Sequence, residues 1–335
     1  MRKPTLVAAL CLATTLTAAG CGAQVEPSAS AESASVTLTN CGRKVTYDKV
    51  PERVVTNDVG ITELMFALGL EDRMAGYAMP DDKGDLDAVP WKDGYDQVKW
   101  LSKGQLTKEN VLDANGDFVF AGWNYGFRED AGFTPDALHK LGIPSYVLTE
   151  SCRNGRADDA RGIMPPLEAL YTDLANLGKL FGVEERADRL IADFKKRVAA
   201  VQAKAPEGAD RPKVFLYDSG QDQPFTTGRF AAPEQIISKA GGVNVMHDVA
   251  DSWTTVGWET VVKRNPDVIV VCDYGDVSAE QKKEFLRSHP ALRDVSAVKH
   301  DRIFTLDYVD LVESPRNPAA VERLGAYLRK VADER

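Results

Sequence analysis

Histidine is scarce in this sequence: four in 335 residues, at His139, His247, His289 and His300. No two stand at the spacing of a zinc or manganese site, so no metal centre is expected. A nucleophile elbow and a Gly-rich phosphate loop are also missing, and nothing marks an enzyme. Basic residues are in deficit, with 41 Lys and Arg against 50 Asp and Glu and a formal charge of −9. That balance argues against nucleic acid as a partner. No apolar run after residue 20 is long enough to span a bilayer as a helix.

What is present begins with an export signal. Arg2 and Lys3 precede an apolar, small-residue run from Leu6 to Ala19, which ends "LTAAGC" at Cys21. This looks like a bacterial lipobox, with a signal peptide over 1–20 and Cys21 as the lipidated first residue. Two acyl chains on Cys21 would hold the protein on the outer face of the cytoplasmic membrane. Removing Arg2 and Lys3 leaves 39 basic residues against 50 acids, a charge of about −11. Residues 21–38 are small and polar and read as a flexible tether. Of the five cysteines, Cys11 is removed and Cys21 is lipidated. Cys272 sits in an apolar, strand-like run and is expected to be a buried free thiol. Cys41 and Cys152 lie in polar, turn-like surroundings, where export permits but does not require a disulfide between them.

The remaining length exceeds what one core fills, and short apolar runs alternate with helical periodicity. This predicts an α/β protein of two Rossmann-like lobes with mostly parallel sheets. The lobes are expected at 39–163 and 207–335, joined by one long rigid helix in a connector over 164–206, with a ligand cleft between them. Leu167, Leu170, Leu174, Leu177 and Phe181 form one connector stripe, which Gly182 interrupts. The halves also share a repeat. "ENVLDANGDFVF" (Glu109–Phe120) returns as "ETVVKRNPDVIV" (Glu259–Val270), with Glu, Asn and Asp in the same register. A helix, a tight turn and a buried strand account for all but the shared Glu.

These features, with the phrases "CGRKVTYDKVPERVVTND", "TELMFALGLEDRMAGY", "LGIPSYVL", "GKLFGVEERADRLI", "PFTTG", "AGGVNV" and "NPDVIVV", resemble the helix-linked (class III) substrate-binding lipoproteins of ABC importers. That family handles iron–siderophores, haem and cobalamin. The resemblance implies a monomeric binding module, not an enzyme, that needs no cofactor of its own. It would capture a ferric siderophore, or alternatively cobalamin, haem or another large cofactor, and deliver it to a permease dimer. It also implies that Glu109 and Glu259 dock the two lobes onto permease arginines.

The resemblance places ligand contacts just after the strands. The candidates are Tyr77, Trp100, Trp123, Tyr125 and Arg128 in the first half, and Phe225, Arg229, Trp253 and Tyr308 in the second. Aromatic rings offer rigid contact area, and arginines offer forked donors to oxygen. Trp258 and Phe127 read as lobe core, and Tyr274 as a further loop aromatic. Corrinoid binders of this class pair an acid and a base near the last strand. Here Asp307 and Asp310 are followed by Arg316 only several residues later.

Overall fold

The computed structural model describes residues 35–335, apart from 80–82, 88, 156–160 and 207. The signal segment, Cys21 and most of the tether lie outside these residues. Strands β1 (Val36–Asn40) and β2 (Arg43–Tyr47) form an antiparallel hairpin. Strand β1 therefore begins at Val36, inside the stretch to residue 38 read as tether. Cys41 and Gly42 make the two-residue turn, both at positive φ (48° and 72°).

Lobe 1 follows with β3 (Val54–Asn57), β4 (Met74–Ala78), β5 (Trp100–Ser102), β6 (Phe118–Trp123), β7 (Gly126–Phe127) and β8 (Ser145–Val147). The main order is β5-β4-β3-β6-β7, β8 also pairs with β6, and every pairing is parallel. Lobe 2 contains β9 (Lys213–Tyr217), β10 (Phe225–Thr227), β11 (Val243–Asn244), β12 (Trp253–Thr255), β13 (Val268–Asp273) and β14 (Ile303–Asp307). Its sheet, β11-β9-β13-β14, is again parallel, while β10 and β12 form a separate antiparallel ribbon. Strand order reverses between β3 and β6 in one lobe and between β9 and β13 in the other. In open α/β sheets such reversals leave a crevice at the carboxyl ends of the strands.

The helices that matter below are α1 (Val59–Ala67), α2 (Lys108–Asp113), α3 (Pro166–Phe181), α4 (Glu184–Gln202), α5 (Ala232–Lys239), α6 (Trp258–Arg264) and α7 (Asn317–Asp333). The connector is a pair of helices, α3 and α4, instead of one long helix. Gly182, at φ 70°, closes α3 in the left-handed conformation that glycine adopts without a Cβ penalty. All five stripe residues of α3 are buried. They join one continuous core that includes Ile61 and Phe118 of lobe 1 and Val214, Val268 and Leu324 of lobe 2.

The repeat has a structural basis in both copies. Asn115 and Asn265 each take positive φ (50° and 45°), ending α2 and α6. Asparagine tolerates that region better than most side chains. Asp117 and Asp267 then clip the first strand of their lobes. The Arg53 amide donates to Asp117 Oδ1 at 2.9 Å, and the Lys213 amide donates to Asp267 Oδ2 at 2.8 Å. The basic side chains reach the other way: Arg53 Nε donates to Asn115 O at 2.8 Å, and Lys213 Nζ to Arg264 O at 3.1 Å. Helix end, turn and strand are thus bonded alike in the two halves.

Cys41 and Cys152 are joined in a disulfide, with Cα atoms 5.2 Å apart, which ties the hairpin to the loop after β8. The Asn40 side chain reinforces this, bonding both the amide and the carbonyl of Val147. Cys272 is a buried free thiol, as expected.

Candidate functional site

The carboxyl ends of the two sheets meet each other, and the contacts between them are polar. The Tyr308 hydroxyl, at the end of β14, donates to Asp58 Oδ2 at 2.7 Å, at the end of β3. Asp58 caps α1 from φ 84°, a strained value for a residue with a side chain. Tyr308 stacks on Tyr274, with ring centroids 4.2 Å apart. Burial, and then the Asp58 charge, push the Tyr308 hydroxyl well above its ordinary pKa. Arg161 reaches from lobe 1 into the seam, with long contacts to Trp123 O (3.5 Å) and Trp253 O (3.4 Å).

Around Arg161 lie three buried polar groups: Tyr125 Oη and Trp253 Nε1, close enough to each other to interact, and the carboxyl of Glu150. Phe225 stacks on Trp253 at 5.8 Å and extends this wall in lobe 2. Tyr125, Trp253, Phe225 and Tyr308 therefore stand together at the seam, as their sequence positions suggested. Arg161, Asp58 and Glu150 join them without having been expected. Glu150 and Arg161 follow no aromatic motif, and Asp58 is simply the last residue of the strand-like run "RVVTND".

The other candidates lie elsewhere. Tyr77 is 2% exposed and sits within the core of lobe 1, between Tyr95 and Trp100, instead of at a cleft surface. Trp100 donates its indole N–H to Met79 O at 3.1 Å and carries Lys83 and Lys103 over its ring. Arg128 is turned to Asp130 in its own turn, and Arg229 to Asp248 O within lobe 2. Trp123 is covered by the Arg153 guanidinium at 3.6 Å, itself paired with Glu129 at 2.7 Å. Its ring borders an open concavity of about 820 Å³ beside the hairpin, lined by lobe 1 residues alone and distinct from the seam. Phe127 and Trp258 are buried in their lobes, as expected.

Behind the seam, carboxyls from three parts of the chain converge. The amides of Glu150 and Glu313 each donate to the other's side chain, at 3.1 and 3.2 Å. Asp173 of α3 accepts from Tyr146 at 2.6 Å and from the Thr149 amide at 2.8 Å. Burial raises the pKa of both Glu313 and Asp173. Burial also lifts Glu150 from 4.5 to about 7, against the opposing charge of Arg161. The folded protein therefore holds this proton more tightly than the unfolded chain. The resulting stabilisation is complete below the ordinary Glu range and disappears as pH rises through about 7. Wild type should thus lose roughly 2–3 kcal/mol more than Glu150→Gln between about pH 5 and pH 8, read by urea unfolding. Parallel pH profiles for the two proteins would refute the assignment.

Lobe 2 also grips lobe 1 away from the seam. Arg316, ahead of α7, pairs with Glu63 of α1, and both side chains are at most 5% exposed. It further donates to Lys83 O and Asp85 O. Asp310 pairs with Arg323. Arg316 is therefore committed to the lobe contact. Among the described residues, no group of three His, Cys, Asp or Glu is placed to hold a metal.

Glu109 and Glu259 are each the second residue of their helix, α2 and α6, and both are exposed. Gln105 and Leu106, just before α2, bond the Asn57 side chain at the carboxyl end of β3. Val256 and Trp258 bond Pro224 and Gln221, in the loop after β9. Each acid thus stands on the cleft side of its own lobe. Its own helix amide and Thr107 hold the Glu109 carboxyl below its ordinary pKa.

A sequence profile of the family described as periplasmic binding protein matches residues 54–309, from β3 to just past β14. YvrC of Bacillus subtilis (strain 168), an uncharacterized ABC transporter substrate-binding lipoprotein, is 26% identical over 97% of this chain and 96% of its own. A periplasmic binding protein from Veillonella parvula superposes with a TM-score of 0.75 at 29% identity, over 88% of this chain and 98% of the other. A Saccharomonospora viridis structure titled as an ABC-type Fe3+-hydroxamate transport system shares the fold, with a TM-score of 0.72 at 24% identity over 87% and 98%. Two parallel-sheet lobes meeting at their strand ends, with a family match across both, establish that this chain belongs to the periplasmic binding protein family.

Proposed function

We propose that the protein is the extracytoplasmic substrate-binding component of an ABC importer, lipid-anchored through Cys21, and that it carries a ferric siderophore to a permease dimer. The observation that carries the reading is the duplicated acid, Glu109 and Glu259, exposed at the same helix position on the cleft side of each lobe. A two-lobed carrier on a two-subunit permease needs one such contact per lobe. Rim charges of this kind steer and orient more than they tighten.

The seam favours one ligand chemistry. Tyr125, Trp253 and Arg161 supply donors to oxygen, and the stacked pairs Phe225–Trp253 and Tyr274–Tyr308 supply flat contact area. The strand ends also carry Asp58, Glu150, Asp218, Asp273 and Asp307. That acidic surround disfavours a strongly anionic tris-catecholate or the propionates of haem. A neutral tris-hydroxamate complex of iron presents oxygen without that penalty.

Tryptophan-fluorescence titration tests both halves of the reading. The ferric hydroxamate should bind at least about tenfold more tightly than haem, cobalamin or a ferric catecholate. Glu109→Lys/Glu259→Lys should bind it within about twofold of wild type yet lose import of radiolabelled iron about tenfold or more. Tighter haem or cobalamin binding would move the cargo assignment. Undiminished import in the double variant would remove the docking role.

A further inference from the structure

We infer that Leu112 and Val262 are paired apolar anchors for the permease dimer, seated one helical turn from the docking acids. The inference rests on the import reading above and adds a second kind of contact to it. Large exposed hydrophobic side chains are few among the described residues: Leu112 at 53%, Val262 at 38%, and Leu141, Ile163 and Val277. Two of these five fall at the same position of the two repeats, three residues after Glu109 and Glu259. Residues three apart lie on one face of a helix. Each lobe therefore presents the same couple, a carboxylate and then an aliphatic side chain.

Single exposed aliphatics are ordinary on a protein surface. The duplication is not, because helix packing does not require it. The neighbouring Val111 and Val261 are fully buried and already hold α2 and α6 to their lobes. The next residue is turned largely to solvent, at 53% for Leu112 and 38% for Val262, yet both halves fill it with an aliphatic side chain where a charged one would be more soluble. A surface that repeats charge and apolar contact in the same order fits a partner that is itself twofold. Each permease copy would offer a cation to the acid and an apolar socket to the side chain beyond it. Apolar surface taken out of water at an interface adds affinity, whereas rim charges mainly orient.

The test uses the full-length lipoprotein in its native membrane, with a photoreactive benzophenone residue at position 112 or 262. Controls carry it at 141 and 277, which are exposed but outside the repeat, and at 108 and 263, beside the repeat faces. Positions 112 and 262 should cross-link one and the same integral membrane polypeptide, and 141 and 277 should not. Leu112→Gln/Val262→Gln should keep ferric-hydroxamate binding and thermal unfolding unchanged while import falls about tenfold. If 108 and 263 capture the permease, 112 and 262 do not, and the Gln variant imports normally, the anchors are wrong and the import reading stands. If 112 and 262 capture two unrelated proteins, the twofold partner is wrong. If no position captures a membrane protein and cells lacking the protein take up ferric hydroxamate as fast as wild type, the import reading fails and the anchors fail with it.

Discussion

Arg316→Met should lower the free energy of unfolding by about 3–5 kcal/mol, the cost of leaving a buried charge without its partner. The stranded group is Glu63, which is fully buried in α1 and otherwise retains only the Tyr95 hydroxyl, at 2.7 Å. Loss of the guanidinium also frees the carbonyls of Lys83 and Asp85, so the lobes lose a clasp as well as a charge pair. Glu63→Leu/Arg316→Met removes both charges and should recover most of the loss, leaving about 1 kcal/mol for the unpaired Tyr95 hydroxyl. Urea unfolding of the three proteins decides the matter. A loss below about 1 kcal/mol in the single variant would show that water reaches Glu63 and that the clasp is loose.

Cutting the Cys41–Cys152 bond should cost about 2–5 kcal/mol, because it closes a long loop. The separation is 111 residues, and the bond fixes an N-terminal hairpin that also buries Leu38 and Tyr47 in the core. Cys41→Ala/Cys152→Ala should melt at lower temperature than wild type without reductant, and at the same temperature as wild type with it. Cys272 is buried and free, so Cys272→Ser separates general thiol effects from this bond. Equal melting of oxidised wild type and the double variant would show that the hairpin contributes nothing to the fold.

The architecture was legible because it is written in periodicity and in turn residues. The α3 stripe from Leu167 to Phe181 is buried as its spacing implies, and Gly182 ends that helix by left-handed geometry. Asn115 and Asn265 could be read as turn residues because few side chains accept positive φ. The edge of the tether was misplaced because β1 alternates small polar residues with only Val36 and Leu38, a weak strand signal. The site was less legible. Tyr77 lies near the carboxyl end of β4, where ligand residues gather, yet its ring turns into the core beside Tyr95, which sequence order does not reveal. Arg161, Asp58 and Glu150 come together from separate loops, and only folding sets them side by side. Leu112 and Val262 were visible as part of the repeat, but their exposure was not, since an aliphatic residue on a helix is usually turned inward.

The unbroken interior shared by both halves has a mechanical consequence. A clamshell whose plates are separated by water can swing wide, because nothing dry has to come apart. Here the floor beneath the jaws is closely packed, apolar side chains with the buried Glu150, Asp173 and Glu313 among them, so the jaws flex about it. Whatever senses a loaded carrier at the membrane has to respond to small changes in tilt and spacing of its outer edges.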